Sequence, residues 1–133
     1  MLKKSFTLME LLIVIVIVGV LAALALPGFT TSKERALDRE ARASLSLMQA
    51  AEKIYRMEAG FYYPPASTTN NVTLINRYLK ISLPSSGGSW RYTADGVNSR
   101  TTAIRIGYST VRTWTLTNTG STPTCSGTDC PLP

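Results

Sequence analysis

Met1–Leu26 reads MLKKSFTLMELLIVIVIVGVLAALAL, a short basic start followed by an apolar run in which Glu10 is the one charged residue. From Leu11 to Ser32, 22 residues, no charge appears. At a rise of 1.5 Å per residue such a run is long enough to span the hydrocarbon of a bilayer. Leu11–Val18 is strongly β-branched and would suit a strand in water, but in lipid every backbone polar group has to be satisfied inside the segment. A continuous α-helix is therefore expected.

Beyond this segment the composition changes. A chain of 133 residues has room for one small domain besides the apolar run. The aliphatic residues concentrate in the first thirty positions, and the remainder is rich in Thr, Ser, Gly and Asn. The formal charge of +6 invites an acidic partner, but Lys3 and Lys4 precede the apolar run, where positive charge sets membrane orientation. Lys33–Glu58 is nearly balanced, which leaves a modest excess from Arg77, Lys80, Arg91, Arg100, Arg105 and Arg112 over Asp95 and Asp129.

The chain has no histidine, which removes the commonest general base and the Ser-His and Cys-His nucleophile pairs. No enzymatic function, cofactor or metal is expected. Cys125 and Cys130 have four residues between them, which is not the spacing of a redox motif, and two thiolates without histidine do not complete a zinc site. Behind a membrane segment the pair reads as a disulfide formed in an oxidising compartment. So short a loop contributes about 2 kcal/mol of chain entropy, enough to pin the C-terminal loop and not to hold up the fold.

Three readings of the N-terminal segment compete. One is a secretory signal ending at Ala23-Leu24-Ala25, one a plain single-span anchor, and one a leader cut off before an apolar helix that is kept. Glu10 separates them, because a carboxylate just inside the apolar segment costs a few kcal/mol and neither a signal nor an anchor gives it a purpose. Ser5-Phe6-Thr7-Leu8-Met9-Glu10-Leu11 closely resembles the processing site of type IV pilins and type II secretion pseudopilins, and Gly19 and Pro27 fall where that family carries its helix glycine and kinking proline. The resemblance covers about a fifth of the chain. It implies a leader of residues 1–5, cleavage between Ser5 and Phe6 by a prepilin peptidase, N-methylation of Phe6, and a contact between Glu10 and the amino terminus of a neighbouring copy. Ser5 departs from the pattern, since the family nearly always has glycine before the cut, and slower processing is the expectation. Pro27 and Gly28 would end the helix or, in a filament, let the Gly19–Pro27 interval bend or melt.

Between Thr31 and Ala59 the sequence is amphipathic. Ala36/Leu37, Ala41, Leu45, Met48, Ala51/Glu52 and Tyr55 recur at helical steps, with Leu47, Ala50, Ile54 and Met57 widening the stripe. Arg35, Asp38, Arg39, Arg42, Gln49, Lys53 and Arg56 take the opposite side, and Gly60 stops the helix. Phe61–Pro65 is expected to leave it in extended form, and a short helix, Val72–Leu79, follows, capped by Asn70 or Asn71. Three strands are expected at Ser89–Ala94, Thr101–Tyr108 and Val111–Thr117. Alternation turns Trp90/Tyr92, Ile104/Ile106/Tyr108 and Trp114/Leu116 inward, and Asp95–Asn98 makes the first turn.

The expected fold is thus α+β, a long N-terminal helix packed on an antiparallel sheet of about three strands. Its parts are a leader (1–5), a transmembrane and filament-core helix (6–27), an amphipathic half (28–60) and a globular head with a C-terminal disulfide loop (61–133). The resemblance implies a pilus subunit, or alternatively a pseudopilin for protein export. A further alternative is a membrane-tethered minor pilin whose Arg91, Arg105 and Arg112 touch DNA. It implies as partners other copies in a helical filament, the peptidase and an inner-membrane assembly platform. The precursor would cross the inner membrane with its head outside the cytoplasm, then enter an extracellular pilus or a periplasmic pseudopilus. A calcium site, known among pseudopilins, has only Asp95, Asn98 and Asp129 to draw on, and none is expected.

Overall fold

The computed structural model describes residues 5–85, 87–107, 111–128 and 130. Helix α1 spans Leu8–Ala59, strand β1 Thr68–Thr69, helix α2 Val72–Leu79, and strands β2 Trp90–Asp95, β3 Arg100–Arg105, β4 Thr113–Thr117 and β5 Thr124–Ser126. The chain divides into two compact units, one ending at Ala36 and the other beginning at Leu37. The fold class is α+β, as the order of periodicities implies. The expected Lys3, Lys4, Tyr108 and Asp129 lie outside the described residues.

Within the first unit the backbone is helical from Leu8 onward, and it stays helical through positions 27 and 28. Pro27 and Gly28 therefore do not end the helix in this structure. A proline removes one amide donor and a glycine adds backbone entropy, and the turns on either side supply enough hydrogen bonds to carry the helix across.

In the second unit Ala41, Leu45, Met48 and Ala51 of α1 are buried, joined by Ile75 and Leu79 of α2 and by Trp90, Tyr92, Ala94, Ala103, Trp114 and Leu116 of the sheet. The first apolar stripe is therefore core. The added residues are not, because Leu47, Ile54 and Met57 are 47%, 55% and 79% exposed. They occupy a different side of α1, which the sheet does not reach.

Gly60 ends α1 with φ 86°, its amide donating to Arg56 O at 2.8 Å. The chain then bends instead of extending. Glu52, 1% exposed, accepts from the Tyr63 backbone N–H at 2.8 Å and holds the start of that bend. Asn71 caps α2, accepting from Leu74 N at 3.2 Å, and Lys80 closes it in the left-handed conformation.

The sheet is an antiparallel meander in the order β1-β2-β3-β4-β5. Two strands were not foreseen, because β1 is two residues long and β5 three, too short to show alternation. The inward face of β3 is also corrected. Thr101 and Ala103 are fully buried, whereas Ile104 is half-buried and Ile106 exposed. Ala103 pairs with Tyr92 on one side and Trp114 on the other. Between two large inward aromatics only a small residue fits, so neighbour size outweighs the apolarity of the isoleucines.

A buried polar cluster joins sheet to helix. Asp38, placed by its charge on the solvent side, is 6% exposed. Its Oδ1 accepts from Trp114 Nε1 at 3.0 Å and pairs with Arg112 Nε at 3.1 Å. The Arg112 guanidinium lies 5.6 Å from the Trp90 ring centre, and Trp90 Nε1 donates to Leu37 O at 3.0 Å. Further along, Tyr92 OH contacts Ser44 Oγ at 3.1 Å, and Gln49 Nε2 donates to Thr117 O and Gly120 O.

Burial pushes the Glu52 carboxyl up to about 7, against the smaller opposing effect of the Tyr63 N–H. Between the ordinary value of 4.5 and 7 the folded chain holds a proton that the unfolded chain has released, so stability falls as pH rises through this window, by at most about 3 kcal/mol. Glu52→Gln should flatten the dependence of thermal unfolding on pH between 5 and 8 while leaving the Tyr63 contact an acceptor. Asp38→Ala, which removes the carboxylate from the buried Arg112 and Trp114, should destabilise the fold by several kcal/mol, and replacing Asp38 and Arg112 together by leucines by much less, read from unfolding of the full chain in detergent micelles.

Candidate assembly interface

Three residues at the start of α1 close on one another. Glu10 N donates to Thr7 Oγ1 at 3.2 Å, while the Thr7 backbone N–H and hydroxyl reach back to Glu10 Oε2 at 3.3 and 3.2 Å. This reciprocal arrangement is a capping box, and the carboxylate also sits in the first turn, where the helix dipole favours negative charge. Thr7-Leu8-Met9-Glu10 is the signature from which it could have been read, so Glu10 has a purpose within its own chain. Both bonds fall on Oε2, and Oε1 has no hydrogen bond among the described residues.

From this cap onward the side chains face outward on every side. Leu8 is 87% exposed, and the aliphatic residues from Leu11 to Leu24 are all more than half exposed. Among the described residues α1 is the one helix long and apolar enough to cross a membrane, by length and composition. So large an apolar surface is not left to water; lipid or other protein has to cover it. Gly19 lies inside this stretch, and a Cβ there would meet nothing within 4 Å. The chain's own packing does not ask for glycine at that position. Ser5 and Phe6 precede the first helical residue in non-helical backbone, with Phe6 78% exposed. The backbone at Pro27 is helical.

The other candidate residues are spread through the second unit. Cys125 and Cys130 form the expected disulfide, with Cα atoms 5.8 Å apart, tying β5 to the C-terminal loop. The strand arginines do not form a free row. Arg112 is buried against Asp38, and Arg105 donates to Ser89 O and Ile106 O with its guanidinium over the Trp90 ring. A nucleic-acid face built on Arg91, Arg105 and Arg112 thus loses two of its three cations. Asp95 works in its own hairpin, accepting from Asn98 N at 3.0 Å, Asn98 Nδ2 at 2.8 Å and Arg100 Nε at 3.1 Å. Burial opposes its charge, but these donors together with Thr68 hold the carboxyl below the usual range. No cluster of three metal-ligating side chains occurs among the described residues.

Comparison with known proteins bears on the N-terminal segment. A family profile, the prokaryotic N-terminal methylation motif, matches residues 1–26. The type IV major pilin protein PilA of Myxococcus xanthus is 39% identical over 60 residues, 45% of this chain and 27% of that protein. Type II secretion system core protein G of Escherichia coli is 37% identical over 68 residues, 51% of this chain and 44% of that protein. The type IV wide pilus major component PilA4 of Thermus thermophilus is 36% identical over 77 residues, 58% of this chain and 55% of that protein. The similarity thus spans from about a quarter to a little over half of these relatives' lengths. No solved structure matches. The chain carries the prokaryotic N-terminal methylation motif, and over about half of its length it is homologous to type IV pilins and to the type II secretion pseudopilin known as core protein G.

Proposed function

We propose that this chain is a structural subunit of a type IV pilus-like filament. The precursor is held in the inner membrane by the apolar part of α1, with residues 28–133 outside the cytoplasm. It is cut between Ser5 and Phe6, methylated on Phe6, and passed by the membrane assembly platform into a filament whose core is the apolar part of α1 from each copy. The observation that carries this reading is the fully uncovered apolar stretch of α1 behind a capped, charged start. A plain anchor would share both, so the filament reading is supported further by the N-terminal methylation motif and the pilin relatives.

The role of Glu10 follows from its geometry. One carboxylate oxygen is engaged by Thr7, and the other is available to a cation. Cleavage after Ser5 would create an amine on Phe6, and the Oε1 of a neighbouring copy is a fitting partner, because a carboxylate among apolar helices is tolerated when paired. Gly19 gains a reason in the same setting, since a residue without a side chain lets a neighbouring helix approach closely, at a cost of about 1 kcal/mol relative to alanine. No residue is assigned a catalytic role, in keeping with relatives that are named as pilus and secretion-system components.

Core protein G among the relatives favours a second reading, a short secretion pseudopilus built from the same helix. Deleting the gene separates the two: loss of surface filaments with export intact indicates a pilus, and the reverse a pseudopilus. Mass spectrometry of the native protein should find a first residue of methylated Phe6, with a residual fraction of uncut precursor because of Ser5; an N-terminus at Leu26 would mean ordinary signal cleavage. Glu10→Ala should abolish incorporation into filaments while leaving the chain in the membrane, and unchanged assembly would overturn the filament reading.

A further inference from the structure

Arg39 and Arg42 sit one helical turn apart on α1, at the mouth of a cleft of about 360 Å³ whose other side is the loop after β4. Ser121 and Thr122 of the loop complete the polar lining, since the Ser46 hydroxyl donates to Arg42 O at 3.0 Å, so the cleft offers two cations and two hydroxyls and no carboxylate. Among the described residues neither arginine makes an ion pair. Asp38, the nearest acid on that part of the helix, is taken by Arg112 and Trp114. The next acid, Glu40, points about 100° away from Arg39 around the helix axis.

The walls are fixed by contacts that have nothing to do with an occupant. The Arg42 guanidinium lies over the Trp114 ring at 5.5 Å, which limits its rotamers before anything binds. Gln49 Nε2 donates to Thr117 O at 2.8 Å and Gly120 O at 2.6 Å, and Gly120 N donates back to Thr117 O at 3.0 Å. A side chain at position 120 would press on Thr117 Oγ1, which would have to turn away to admit it.

We propose that this cleft binds a phosphate ester. Guanidinium forks present paired N–H donors matched to oxyanions, and two forks with the Ser121 and Thr122 hydroxyls beside them offer more donors than the two oxygens of a carboxylate accept. A phosphate ester has enough oxygens to engage both forks and the hydroxyls together. The cleft is open to solvent and leaves room beside a phosphate for an organic group, supplied by a phospholipid headgroup or by a soluble phosphate ester. The inference is independent of the filament reading, since it uses neither the apolar segment nor Glu10.

The test follows the arginine Nε–Hε resonances of the full chain, ¹⁵N-labelled, in phosphate-free maltoside micelles during titration with glycerol 1-phosphate. Arg39 and Arg42 should shift and saturate with a dissociation constant on the order of 1 mM. Acetate at equal ionic strength should move them far less. Arg39→Gln should remove saturation from the Arg42 signal while the unfolding temperature stays unchanged, since the Arg39 side chain is exposed and makes no hydrogen bond or ion pair among the described residues. In phosphatidylglycerol nanodiscs, signals already at their bound positions and insensitive to glycerol 1-phosphate identify the lipid headgroup as the source. Signals that still titrate there identify a soluble ester. Linear shifts without saturation, equal shifts with acetate, or an Arg39→Gln variant that titrates like the parent would overturn the proposal.

Discussion

The Asp38 carboxylate is the point at which α1 becomes part of a core. It is the first buried side chain on the helix, and it binds two groups of the sheet at once, the Trp114 indole and the Arg112 guanidinium. Through Arg112 the cluster extends to the Trp90 ring, whose own N–H returns to the Leu37 carbonyl. Two strands, β2 and β4, are thereby registered against one turn of helix. Because Tyr92 and Trp114 then face the helix from either side of β3, the strand between them turns Ala103 inward and its isoleucines outward. The side chains that make the second unit a single packed body follow from where this ion pair sits. Burial of such a pair is not in itself a large source of stability, but it is demanding in geometry, and that is the service it performs here.

A different constraint governs the first unit. There the apolar side chains from Leu8 to Leu24 are exposed, and the segment is nonetheless regular, because an α-helix satisfies its backbone from within and asks nothing of its surroundings except that they be apolar. The same chain thus meets two media. After residue 37 one face of α1 is solvated by the protein's own sheet, whereas the apolar run from Leu11 to Leu24 has to be covered by lipid or other protein. The capping box of Thr7 and Glu10 sets the start of this segment, and among the described residues it engages only one of the two carboxylate oxygens.

Much of this was legible beforehand for identifiable reasons. The apolar run reads as a helix once its length and the need to satisfy its backbone internally are counted. The stripe Ala41, Leu45, Met48 keeps one period, and Asn71 and Gly60 are local signals whose partners lie within a few residues. The errors share a cause. Asp38 was assigned to solvent by its charge, Ile104 and Ile106 to the core by their apolarity, and Leu47, Ile54 and Met57 to the same stripe as Leu45. Each assignment used the residue's own chemistry where the outcome was set by what lies across from it. The missed capping box is another matter, since its four-residue pattern was present in the sequence.

What the amino-acid sequence determined by itself is the membrane-length helix, the processing motif ahead of it, the α+β order of elements and the pairing of the two cysteines. All of these depend on neighbours along the chain or on composition. The tertiary structure alone decided which face of β3 is buried, that Asp38 and Arg112 meet in the interior, that β1 and β5 extend the sheet, and that Arg39 and Arg42 share a cleft with Ser121 and Thr122. Asp38 and Trp114 are 76 residues apart, and no local periodicity encodes a contact at that distance. It arises because burying a charge requires a partner, and only the folded chain brings one within reach.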